Sequence, residues 1–111
     1  MEKVFLLLIL CTFNCVAQAQ QASDNFEGKW RTQDGFTVEI VRKNTGFEGT
    51  SIERQKVVMQ NLQYADNKWT ALMIRPADGL SANATIILKG DEIHIHMRKG
   101  FLSKKLIWLR L

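Results

Sequence analysis

Phe26-Glu27-Gly28-Lys29-Trp30-Arg31-Thr32 is the stretch whose reading decides the fold. A glycine inside an extended run lets a second backbone come close, and an indole brings a large apolar payload with one polar edge. Gly28 and Trp30 together therefore mark a place where a sheet closes on itself, with Trp30 as the plug of one end. The rest of the chain has to supply that sheet.

Downstream of Thr32 the sequence is a series of short alternating runs separated by turn residues, the signature of antiparallel strands. Phe36, Val38 and Ile40 alternate with Thr37, Glu39 and Val41, and Asn44-Thr45-Gly46 turns the chain. The next run, 47–54, contains Gly49 and Ser51, which suit a bulge or a sharp bend. A fourth run covers 57–64, with Val57, Met59 and Asn61 facing away from Val58 and Leu62, and Ala65-Asp66-Asn67 turns it into a fifth at 69–74. Arg75-Pro76-Ala77-Asp78-Gly79 interrupts with the sole proline, which has no ladder donor. Leu80, Ala82, Ala84, Ile86 and Leu88 then form the clearest alternation, followed by Gly90-Asp91, by Ile93, Ile95 and Met97, by an Arg98-Lys99-Gly100 turn, and by a final run from Leu102 to Leu111. Eight strands joined by hairpin-length loops predict an all-β fold, a small up-and-down antiparallel β-barrel. Such a barrel is just wide enough to be filled by side chains or to hold one small ligand.

Residues 1–19 read as an export signal: a short charged start (Glu2, Lys3), an apolar run from Val4 to Cys11, and small residues around Ala17-Gln18-Ala19. The apolar run is shorter than the roughly 20 residues that span a bilayer, so an uncleaved anchor is the weaker alternative. Residues 20–25 form a polar lead, expected to be mobile, and 26–111 a single barrel domain. The product is expected to be exported, periplasmic or secreted. Cys11 and Cys15 both fall in the signal, and neither follows a small residue as a lipidated cysteine would. The domain thus has no disulfide to rely on. Without Lys3 and Glu2, the totals of 15 Lys plus Arg and 11 Asp plus Glu become 14 and 10, a net charge of +4. Five cations (Arg98, Lys99, Lys104, Lys105, Arg110) lie in the last 14 residues, a basic rim that suits an anionic partner or, more simply, blunts sheet edges.

Gly28-Lys29-Trp30 near the start and Arg110 near the end resemble the lipocalin and calycin signature, in which a late arginine lies over an early tryptophan. With Val38-Glu39-Ile40, Leu62, Tyr64, Asp66, Trp69, Pro76, Gly79 and Trp108-Leu109-Arg110, the chain is similar to a lipocalin-like family of short exported bacterial proteins catalogued as a domain of unknown function. The resemblance implies a calycin-like closure by Gly28, Trp30, Trp108 and Arg110. It departs from the family at Ser103-Lys104-Lys105-Leu106-Ile107 and at Leu80-Ser81-Ala82.

Chemistry-bearing clusters are sparse. His94 and His96 share one strand face, but two ligands are too few for a metal site, and solvent is their expected environment. The exported part has no cysteine nucleophile, no Gly-x-Ser-x-Gly elbow and no phosphate loop. Neither an enzyme, a cofactor, a metal nor a nucleic-acid partner is expected. Two functions stay open. One is a binding module for a small apolar or anionic amphipathic ligand, with Trp69, Tyr64 and Phe36 around it and Lys104 and Lys105 at the mouth. The other is an envelope interaction module with a packed interior. Its motive is the last strand, where Leu106 and Trp108 oppose Ile107, Leu109 and Leu111, so that apolar residues are left outside for a homodimer or another partner.

Overall fold

Each alternating run becomes a strand: β1 (Gly28–Arg31), β2 (Thr37–Lys43), β3 (Gly46–Ser51), β4 (Lys56–Ala65), β5 (Lys68–Ile74), β6 (Ser81–Lys89), β7 (Glu92–Lys99) and β8 (Leu102–Arg110). The structure, a computed structural model, describes residues 21, 23–99 and 102–111. The expected signal at 1–19 and Gly100 of the last turn lie outside these. Neighbours in sequence are neighbours in space, every pairing is antiparallel, and β1 meets β8 to close the barrel. The expected eight-stranded meander is the observed fold.

Two kinds of connection define two ends. The tight turns between β2 and β3, β4 and β5, and β6 and β7 use left-handed residues, Asn44 (φ 57°), Asp66 (55°), Asn67 (65°) and Gly90 (61°), as hairpin geometry requires. They lie at what we term the lower end, with the lead into β1 and the exit from β8. Longer connections at 32–36, 52–55 and 75–80 lie at the upper end, with the β7–β8 turn.

Alternation then sorts the side chains. Trp30, Val38, Ile40, Ala71, Met73, Ala84, Ile86, Ile93, Ile95 and Trp108 all point inward and are buried, and Leu88, Met97 and Leu106 pack against them. Three sequence expectations shift, two at element ends and one inside a strand. Phe36 lies just outside β2, half-buried, with the Arg54 guanidinium 4.1 Å from its ring centre. Leu80 precedes β6 and is 51% exposed, because its carbonyl closes the 75–80 loop by accepting the Arg75 N–H at 2.7 Å. In β4, Val58, Met59 and Leu62 are all buried, which strict alternation forbids. The pairing shifts between Gln60 and Gln63, where Asn61 adopts φ 53°. This bulge re-aims Leu62 into the core. The irregularity expected around Gly49 is present too, as register shifts on both sides of that glycine against β4.

Candidate functional site

The lower end is shut by a lock and a plug. Trp30 is fully buried and its indole N–H donates to the Phe26 carbonyl at 3.0 Å, so its one polar atom is satisfied. Across the seam, Trp30 is paired with Arg110, whose guanidinium carbon stands 4.2 Å over the indole ring. The same guanidinium donates to the Glu27 carbonyl at 3.2 Å and meets the Asp91 carboxylate at 3.3 Å. Gly28 makes the approach possible: at φ 133° few other residues are comfortable, and a β-carbon there would come 3.3 Å from the Arg110 Nη1. Gly28, Trp30 and Arg110 of the expected closure thus meet, while Trp108 is buried opposite Ile93.

Phe26 is the plug, and it comes from the residue just before the strand. It is fully buried, with its ring 5.0 Å from Trp69 and 5.6 Å from Phe47 in edge-to-face contact. Tyr64 adds a fourth ring, 5.5 Å from Trp69. The polar lead crosses this end: the Trp69 indole N–H donates to the Gln21 carbonyl at 2.9 Å, and Asn25 receives the Glu27 N–H on its side chain at 3.0 Å. A lone phenylalanine between the polar lead and β1 gave no periodic signal by which sequence could find it.

The residues expected to surround a ligand are not brought together. Trp69 and Tyr64 belong to the lower aromatic plug. Phe36 lies at the upper end, stacked by Arg54. Lys104 and Lys105 are also at the upper end but on opposite faces of β8, since Lys104 shares the inward parity of Leu106 and Trp108. The basic cluster divides likewise: Arg110 serves the lower lock, while Arg98, Lys99, Lys104 and Lys105 ring the β7–β8 hairpin. His94 and His96 face outward. His94 bonds Glu92 at 2.8 Å, and His96 sits in a row between Thr85 and Lys105.

Two hollows are lined by residues of the upper rim and of the outer wall. A hollow of ≈ 450 Å³ is framed by Arg54, Lys56, Pro76 and Ala77 at the upper rim. A second, ≈ 640 Å³, runs along the outer wall over β4 to β7, with Gln63, Thr70, Leu72, Asn83, Thr85 and Arg98 among its lining. At the upper rim two carboxylates are held ionised. A bidentate pair with Arg75 (3.0 and 2.9 Å), helped by the Leu80 N–H, keeps Asp78 below its ordinary pKa. The Thr37 N–H at 2.8 Å, with further local hydrogen bonds and the charge of Arg31, does the same for Glu53.

The seam is the other notable surface. β1 and β8 share only two register pairs, Trp30 with Arg110 and Arg31 with Leu109, extended below by the Leu111 N–H on the Lys29 carbonyl. Above them, the Ile107 N–H is met by the Gln33 side chain at 3.1 Å. Further up, β8 has no strand beside it on that edge among the described residues. Below this edge, Ile107 and Leu109 of β8 and Leu111 just after it are 39%, 49% and 59% exposed.

The fold and the lock define a closed eight-stranded meander barrel sealed at one end by an arginine on a tryptophan. No protein-family model, curated protein or solved structure matches the chain.

Proposed function

We propose that the chain is an exported, non-catalytic binding module of lipocalin-like build, with an interior that is a core and an outer surface that meets a macromolecular partner in the cell envelope. The observation that carries this reading is the filling of the barrel. Sixteen buried apolar residues, four of them Phe or Trp side chains at the lower end and another the indole of Trp108, occupy the space that a cup would leave free. The two hollows are lined by upper-rim and outer-wall residues. The exposed Ile107, Leu109 and Leu111 strip gives such a partner an apolar footing.

A second reading keeps a small apolar or anionic amphipathic ligand at the mouth. It draws on the upper half of the interior, where Met59, Met73 and Met97 stand among Ala71 and Ala84, since methionine repacks around irregular guests more readily than branched side chains do. Native mass spectrometry of protein purified from its envelope separates the two. The bare chain mass, together with a protein crosslinked through a photoreactive residue on the outer wall, is expected. A stoichiometric lipid-like mass that survives gentle desolvation would transfer the assignment to the second reading.

A further inference from the structure

We propose that the upper edge of β8 is a strand-addition site for an acidic extended segment of the partner, an inference that rests on the macromolecular reading above and names the mode and chemistry of binding.

The edge is defined by parity. Leu111 and Ile107 send their N–H groups across the seam, to the Lys29 carbonyl and the Gln33 side chain. Main-chain groups alternate in direction along a strand, so the N–H and C=O of Ser103 and Lys105 face the same way, while the β7 ladder engages the other edge. Among the described residues no strand lies there, because β1 stops at Arg31, which pairs with Leu109. The open stretch above the Gln33 contact, 103–106, is four residues, about 14 Å of extended chain. An incoming strand would continue the line of β1 upward and complete the wall, with main-chain bonds supplying affinity and side-chain pairing supplying selectivity.

Charge selects the occupant. Lys104 and Lys105 are exposed and have no ion pair among the described residues. Arg98, paired with Ser103 across the hairpin, and Lys99, paired with Leu102, extend the same sign. A second copy adding antiparallel and centred on Lys105 would set that lysine against its own copy, and like charges directly opposite are destabilising. An acidic strand meets the reverse condition. Its residues opposite Lys104 and Lys105 would be carboxylates, and the one opposite Leu106 apolar. The simpler account, lysines that merely keep the edge from pairing with anything, predicts no binding at all.

The probe is an acetylated, amidated peptide of sequence STVVEETS, compared with STVVKKTS, added to the isotope-labelled barrel and followed by amide shifts and hydrogen exchange. We expect the acidic peptide to bind about tenfold tighter than the basic one, from two cross-strand charge pairs, and to slow exchange at the Ser103 and Lys105 amides. Lys104→Glu with Lys105→Glu should reverse the preference. Lys105→Pro, which removes an N–H that the β7 ladder does not use, should abolish binding while the far-ultraviolet spectrum is kept. No saturable binding, equal binding of both peptides, protection confined to other strands, or protection of these amides by raised protein concentration alone overturns the proposal. Photocrosslinkers at Ser103 and Thr70 in envelope material separate the levels of failure: a partner joined only at Thr70 removes the edge site but spares the module, and none at either position removes both.

Discussion

Replacing Arg110 by methionine keeps much of the side-chain volume and removes the charge that locks the lower end. The guanidinium lies 4.2 Å over a fully buried indole and is itself only 31% exposed, so its cation–π contribution falls in the upper part of the usual range, about 1–2 kcal/mol. The charged bond to the Glu27 carbonyl, at 3.2 Å, adds about 1 kcal/mol. The Asp91 contact adds little, since that carboxylate is 86% exposed. The expected cost is thus about 2–3 kcal/mol, or a melting temperature lower by about 10–20 °C for a domain of this size. Urea unfolding followed by indole fluorescence measures it. Arg110→Lys should recover less than half of the loss, because an ammonium neither stacks nor forks. A cycle with Trp30→Phe isolates the stacked pair, with a coupling of about 1 kcal/mol expected. If Arg110→Met costs under about 0.5 kcal/mol, or the cycle shows no coupling, the lock is a coincidence of packing rather than a source of stability.

Other outcomes follow from the same structure. Phe26→Ala should cost about 3–5 kcal/mol in the same unfolding assay, since it empties the space between the Phe47 and Trp69 rings. Gly46→Ala should cost about 1–3 kcal/mol although its backbone is unstrained, because the added methyl meets the Leu62 carbonyl and the Gln63 side chain; a neutral result would mean that β4 yields there. Carbon-detected titration should find the Asp78 and Glu53 carboxylates ionising below their ordinary values, as their hydrogen-bond donors require. A depressed folded-state pKa contributes stability that is present above the unfolded value, near 4, and is lost as pH falls through the folded one. Asp78→Asn should therefore lower stability at neutral pH, leave it unchanged in strong acid where Asp78 is already protonated, and so flatten the acid limb of the stability curve.

Strand number, order and barrel closure were legible because alternation is a physical consequence of a sheet with one buried face: Leu88, Ile86 and Ala84 read inward in sequence and lie inward in the structure. The lock was legible because Gly28 and Arg110 are residue types whose roles are narrow. What escaped lies where period two breaks. Asn61 adopts a left-handed conformation in the middle of β4 and puts both Met59 and Leu62 inside, and no pattern over 57–64 distinguishes that from straight alternation. Phe26 escaped because its partners, Phe47 and Trp69, are distant in sequence. The grouping of Tyr64, Trp69, Phe36, Lys104 and Lys105 around one ligand failed for a topological reason: along a meander, residues near opposite ends of the strands reach opposite ends of the barrel, whatever their chemistry.

The brevity of the β1–β8 contact also has a kinetic meaning. Seven of the eight pairings join strands adjacent in sequence and can zip from their own turns, while one alone, with two register pairs, must bring residues some 80 positions apart together. Loop-closure entropy grows only with the logarithm of length, but here it is met by very few ladder bonds. The chain is therefore expected to curl into a nearly finished ribbon before the ring shuts. Substitutions at Trp30 or Arg110 should then accelerate unfolding and leave the folding limb of the chevron nearly unmoved.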